Sequence, residues 1–222
     1  MELYDAMRTT HAVREFTDDP LPDEVLSRIL DNARFAPSGG NRQGAHVVVV
    51  RSQETRERLV ELTQPGARRY FAQQAAGEKP WNTVNPTAVT AEQVDATRVP
   101  RQITEPLRQA PVVLVFLVDL TVVASTDAEL SRVGVISGAS IYPLVWNTLL
   151  SARNEGFGGV ITTMAVASEP ELLALLGAPE THAVAAVVPL GKPVKQLTKL
   201  RRQPVEEFVT HETYAGAPLT ND

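Results

Sequence analysis

Three features of the 222-residue sequence predict a single domain that layers helices on a β-sheet. Short valine-rich runs at 46–50, 111–118 and 183–190 have the length and β-branched content of strands. Between them, apolar residues recur at helical spacing, as in Val25, Leu26, Ile29, Leu30 and Ala33. The chain is 43% hydrophobic, enough to bury one sizeable core. Continuous apolar strands alternating with helices suggest, by pattern alone, a parallel sheet of the α/β type.

Residues 1–10 place Leu3, Ala6 and Met7 on one side of a short helix. A polar turn at 17–20 follows Phe16. Pro22, Asp23 and Glu24 then open a second helix, since proline suits a first turn and acids suit its positive end. That helix stops at Ala36-Pro37-Ser38-Gly39-Gly40-Asn41-Arg42-Gln43, and strand 46–50 follows. Residues 52–62 read as a charged helix. Periodicity then disappears over 66–100, an insertion broken by Pro80, Pro86, Pro100 and Gly77. A stretch of this kind reads as a lid, a binding loop or a disordered segment, and its aromatic residues Tyr70, Phe71 and Trp81 count against complete disorder. Residues 103–108 lead helically into the strand at Pro111. The longest helix is predicted over 127–153, kinked or broken at Pro143. Gly156-Phe157-Gly158-Gly159 ends it. Residues 160–163 form a short strand, Ser168 caps a helix to Leu175, and strand 183–190 closes at Gly191-Lys192-Pro193. A C-terminal arm over 199–222 is basic and then acidic, with Phe208, Val209 and Tyr214 as anchors.

Composition removes several function classes. A net charge of −5 and a pI near 5.5 give no electrostatic footprint for nucleic acid. With no cysteine there is no disulfide, thiol nucleophile, thiolate zinc site or iron–sulfur cluster. The N-terminus lacks an apolar signal core, and the apolar run at 111–118 is too short to span a bilayer. A soluble, cytoplasmic protein without a membrane or nucleic-acid partner is expected. The four histidines show no metal-ligand spacing, and no nucleophile elbow, Walker loop or dinucleotide turn is present. No catalytic side chain and no metal site are therefore assigned. A cofactor that brings its own chemistry fits this pattern.

The loop 36–43 has two readings. Pro37 and the paired glycines stop a helix, and they also let a flat ligand approach the backbone, with Ser38 and Asn41 as polar neighbours. Arg201-Arg202 is either a solvated pair or a phosphate grip. Arg14 could stabilise negative charge on the pyrimidine edge of a reduced flavin. Together these groups suit flavin mononucleotide, FMN.

The motifs resemble those of the FMN-dependent nitroreductase family. They are Thr10-His11-Ala12-Val13-Arg14-Glu15-Phe16, the loop from Ala36 to Gln43 with its valine strand, Gly156-Phe157-Gly158-Gly159-Val160-Ile161-Thr162-Thr163, and Arg201-Arg202-Gln203-Pro204. The resemblance covers nearly all of the chain except 66–100. It implies an α+β sandwich with a mixed, mostly antiparallel sheet flanked by helices, assembled as an intertwined homodimer. It further implies that His11, Ala12 and Arg14 contact FMN, that Pro37, Ser38, Gly39 and Asn41 reach it from the partner chain, and that Ser140 lies near the ring. Ile161, Thr162 and Thr163 back the N5 side, and Arg201 or Arg202 takes the phosphate. Thr10, Ala12, Gly44 and Thr163 depart from the usual residues. The implied function is reduction of a nitroaromatic, a quinone or a similar electron-poor small molecule by NAD(P)H, in ping-pong fashion. The alternatives are a flavin-storage protein, reductive dehalogenation and flavin fragmentation.

Overall fold

The computed structural model describes residues 1–220. The helices are α1 (Leu3–Thr9), α2 (Asp23–Ala33), α3 (Gln53–Ala75), α4 (Ala91–Ala96), α5 (Arg101–Gln109), α6 (Tyr142–Asn154) and α7 (Glu169–Leu176). The strands are β1 (Ala45–Val50), β2 (Val112–Asp119), β3 (Gly158–Gly159) and β4 (His182–Gly191). They form one sheet in the order β1-β2-β4-β3, and every pairing is antiparallel.

The parallel sheet suggested by pattern is thus corrected, and the α+β class holds, with described strands antiparallel throughout rather than mixed. The reason is visible in β2. Its residues Val112 to Leu117 are buried on both faces, which erases the alternation that normally marks an antiparallel strand. Leu114, Phe116 and Val118 pack with Leu26 and Ile29 of α2 and with Val145 and Leu149 of α6. Val113, Val115 and Leu117 pack on the other side with Leu59 of α3, Leu107 of α5 and Leu172 of α7. The result is three layers, helix–sheet–helix.

Two helix boundaries differ from expectation. The helix read over 52–62 runs on to Ala75, through Pro65, because Leu59, Leu62, Thr63, Gly66 and Ala67 keep one buried face. The 66–100 stretch is therefore not irregular throughout. Residues 66–75 are helical, and α4 carries a capping box between Thr90 and Gln93. Conversely, the long helix expected over 127–153 begins only at Tyr142, with Pro143 in its first turn. The preceding loop is tied by Asp127, whose carboxylate accepts from Val135 N at 2.8 Å and from Arg132 Nη1 at 2.7 Å. These bonds hold the Asp127 carboxyl below its usual range. The short strand expected at 160–163 is not formed: the two-residue β3 precedes it at Gly158–Gly159, and within 160–163 only a single bridge joins Thr162 to Val187.

The tail from Lys199 onward is largely exposed, with a turn at Val205–Glu207 and a bridge from Thr210 to Pro218. Phe208, expected to anchor the arm, is 65% exposed, and Tyr214 is fully exposed. The last two positions of the expected arm, Asn221 and Asp222, lie outside the described residues. Among the described residues no helix is long and apolar enough to cross a membrane, and no cluster of His, Asp and Glu could hold a metal.

Candidate functional site

The segment from His11 to Phe16 is held between β3 and the chain leaving β4. Val13 N donates to Gly159 O at 3.0 Å, Val194 N donates to Glu15 O at 3.1 Å, and Thr17 N donates to Lys192 O at 2.9 Å. Val13 and Phe16 turn inward against Ala110, while Ala12 and Arg14 are exposed. Gly158 permits this contact: a Cβ there would lie 2.7 Å from Val13 Cγ2. At the start of the segment, Gln196 Nε2 donates to Thr9 O at 3.1 Å and lies 3.3 Å from His11 Nδ1. Arg153 Nε donates to Thr9 Oγ1 at 3.1 Å, fixing the same corner to α6.

Three clefts meet along this face. The first, about 220 Å³, is lined by His11, Ala12, Arg14 and Lys195 among others. The second, about 130 Å³, is lined by Arg14, Gln102, Ile103 and by Ile161, Thr162 and Thr163. The third, about 400 Å³, is lined by Tyr70, Pro80 and Trp81 opposite Met164, Val166 and Ala167. Arg14 belongs to the first two, and Thr163 and Met164 belong to the last two, so the clefts form one groove. Among the described residues the Arg14 guanidinium meets no carboxylate and donates no hydrogen bond. The amides of Ile161 and Thr163 likewise have no acceptor there, whereas Thr162 N donates to Val187 O at 2.9 Å. Two cations without a partner among the described residues, Arg14 and Lys195, and the unpaired amides of Ile161 and Thr163 therefore belong to residues lining the groove, a donor set for an anionic or electron-rich edge.

The loop at 36–43 lies in a different cleft, of about 270 Å³, lined by Pro37, Ser38, Gln43, Ser140 and Leu144 among others. It shares no lining residue with the Arg14 groove. Gly39 N donates to Ser140 Oγ at 3.1 Å, and Gln43 N donates to Ser38 Oγ at 3.0 Å. Each hydroxyl accepts one bond and keeps its own proton to donate. Gly40, Asn41 and Gln43 all have positive φ, 60°, 52° and 51°. For the two non-glycine residues that is strain, which gathers where geometry is functionally constrained. The Asn41 side-chain amide has no partner among the described residues.

The structure thus brings His11, Ala12, Arg14, Ile161, Thr162 and Thr163 together. It brings Pro37, Ser38 and Gly39 together with Ser140, and Asn41 follows on the same loop. Ser140 belongs with this second group, away from Arg14. Arg201 and Arg202 join neither. Both are exposed, and Arg202 Nη1 donates to Arg201 O at 2.7 Å. The cation beside His11 is Lys195, which sequence reading passed over. Its signal was positional, since it follows Pro193, which bridges to Phe16 just beyond the end of β4.

Fold and clefts together define an α+β sandwich with a cationic groove on one sheet edge and a strained polar loop on another face. The chain belongs to the nitroreductase family, whose sequence profile matches residues 7–192. It is similar to the NADH dehydrogenase of Thermus thermophilus, 29% identical over 204 residues, covering 89% of this chain and 90% of that protein. It is also similar to the FMN reductase [NAD(P)H] of Bacillus subtilis, 24% identical over 214 residues, 96% of this chain and 74% of that one. Two relatives of higher identity, 33% and 41%, match over only 35% and 31% of their own lengths. A crystal structure of oxidized iodotyrosine deiodinase bound to FMN and 3-iodo-L-tyrosine shares the fold. Its TM-score is 0.69 at 20% identity, covering 96% of this chain and all of that one.

Proposed function

We propose that this chain is an FMN-dependent oxidoreductase that uses NAD(P)H to reduce an electron-poor small molecule, such as a quinone or a nitroaromatic. The observation that carries the proposal is Arg14, an uncompensated cation where the polar and apolar parts of the groove meet. The residues fit FMN in order along the groove. His11 and Lys195 would face its phosphate, Arg14 its pyrimidine edge, and the free amides of Ile161 and Thr163 the N5 side. FMN, when bound, supplies a two-electron centre that takes hydride from NAD(P)H and passes it on, so the two substrates occupy one place in turn. The chain's own residues orient and exclude water: Arg14 holds the pyrimidine edge by charge, and the apolar walls from Ile103 and Pro106 dry the site.

The second group completes this site from another copy of the chain. Pro37, Ser38, Gly39 and Asn41, with Ser140, would close over the groove of the partner; within one chain the two clefts share no lining residue. A two-fold dimer then carries two identical shared sites. The exposed arm bearing Phe208 and Tyr214 gives the partner apolar surface to cover. The test is the visible spectrum of purified protein, followed by anaerobic addition of NADH or NADPH. Flavin bands that bleach support the proposal. Flavin that does not bleach supports storage instead, and failure to bind added FMN overturns the reading altogether.

The phosphate assignment has its own expected outcome. Lys195→Ala should weaken FMN by about tenfold, the worth of one charge-assisted hydrogen bond, while leaving riboflavin binding unchanged. Replacing Arg201 and Arg202 together should cost less. Calorimetric titration with both ligands reads this, and equal losses of FMN and riboflavin for Lys195→Ala would remove Lys195 from the phosphate.

A further inference from the structure

The apolar end of the groove is built, not left over. Gly66 of α3 sits against the turn Met164–Ser168 so closely that a Cβ would lie 2.2 Å from Met164 O. Only glycine allows that approach, and Tyr70, one turn further along α3, lines a cavity with Met164 and Ala167. Trp81 forms the facing wall. Its φ is +55°, a left-handed conformation that strains a bulky residue. Three contacts hold it there. Its N donates to Oε1 of the buried Gln73 at 2.9 Å, its indole Nε1 donates to Gly66 O at 3.2 Å, and the Arg69 guanidinium lies 4.2 Å above the ring. Despite this, Trp81 remains 40% exposed, so burial does not repay the strain.

Resting on the FMN reading above, we infer that this cavity is where the acceptor's ring lodges and that Trp81 sets its selectivity for an uncharged flat ring. Its volume, about 400 Å³, lies in the range of small-molecule sites. Its lining carries no charged side chain. A ring bearing a carboxylate, a sulfonate or the paired charges of a free amino acid would lose hydration there with no lining side chain to pair its charge, since the nearby Arg69 guanidinium is stacked on the Trp81 ring and is not itself part of the lining. The lining offers polar handles: the Tyr70 hydroxyl, which has no partner among the described residues, and Thr163 at the boundary with the Arg14 cleft. A carbonyl or nitro oxygen on an uncharged ring can accept from Tyr70. The chemistry balances as acceptor plus NAD(P)H plus one proton giving the two-electron-reduced acceptor and NAD(P)⁺.

The test uses holoprotein with 1,4-naphthoquinone and its anionic 2-sulfonate as acceptors. Trp81→Ala should raise KM for the neutral quinone about tenfold, leave kcat and flavin content nearly unchanged, and move KM for the sulfonate by less than about twofold. Trp81→Phe should restore most of the loss. Equal changes for both acceptors, or no change in a flavin-replete Trp81→Ala protein, would overturn the inference. An independent readout needs neither turnover nor flavin. In a Trp146→Phe background Trp81 is the sole tryptophan, since the chain has two. The neutral quinone should then quench its fluorescence at lower concentration than the sulfonate does. Quenching by both alike would overturn the pocket's selectivity, whereas a protein that discriminates between the two quinones yet fails to bind added FMN would sink only the FMN reading.

Discussion

A mixed dimer of two defective chains is expected to regain one normal flavin site. One chain carries Arg14→Ala; the other carries Ser38→Ala and Ser140→Ala. Each variant alone should pair with itself and bind FMN poorly at both sites. In the mixed dimer, one site pairs the groove lacking Arg14 with the loop lacking both hydroxyls. The other pairs an intact groove with an intact loop. Co-expression with two affinity tags isolates that species, and FMN stoichiometry and affinity read it. About one normal site per pair supports shared sites. If neither site of a folded mixed dimer binds normally, the groove and the loop do not meet across the dimer. The prediction rests on the family resemblance, which implies that the loop reaches the flavin from the partner chain; within one chain Arg14 and Ser38 line clefts that share no lining residue.

Arg14→Ala in both chains is also expected to lower the midpoint potential of bound FMN. The reduced ring gains negative charge at its pyrimidine edge, so a cation there stabilises it more than the oxidised ring. A hydrogen bond to a charged group contributes about 1.5–3 kcal/mol, and for a two-electron couple 30 mV corresponds to about 1.4 kcal/mol. The expected fall is therefore on the order of 30–60 mV. Spectroelectrochemical titration measures it. An unchanged or raised potential places Arg14 elsewhere. No carboxylate among the described residues shares this charge, so its loss is not buffered by a freed neighbour.

Much of this was legible before any coordinates. The apolar spacing of Leu26, Ile29 and Ala33 marked a buried helix face, and the valine runs marked three strands, because side-chain periodicity is local. The motifs around Arg14, the 36–43 loop and Ile161 to Thr163 marked polar positions on which the structure does build its clefts. Strand direction was not legible. β2 is covered by helices on both faces, and burial on both sides looks the same in sequence whichever way its neighbours run. Helix length was misread for a related reason. Packing against the Met164–Ser168 turn carries α3 through Pro65 and Gly66, where local propensity would stop it.

Sequence by itself determined the kinds of elements and the residue types available for binding, since both depend on neighbours a few positions away. Tertiary structure decided which of those residues meet. It joined Ser140 to the Ser38 loop across about a hundred positions, put Lys195 beside His11, left Arg201 and Arg202 outside, and set Trp81 opposite Met164. Such meetings come from layers closing over a common core. Contacts between distant segments depend on how all the layers pack at once, and no short stretch of sequence carries that information.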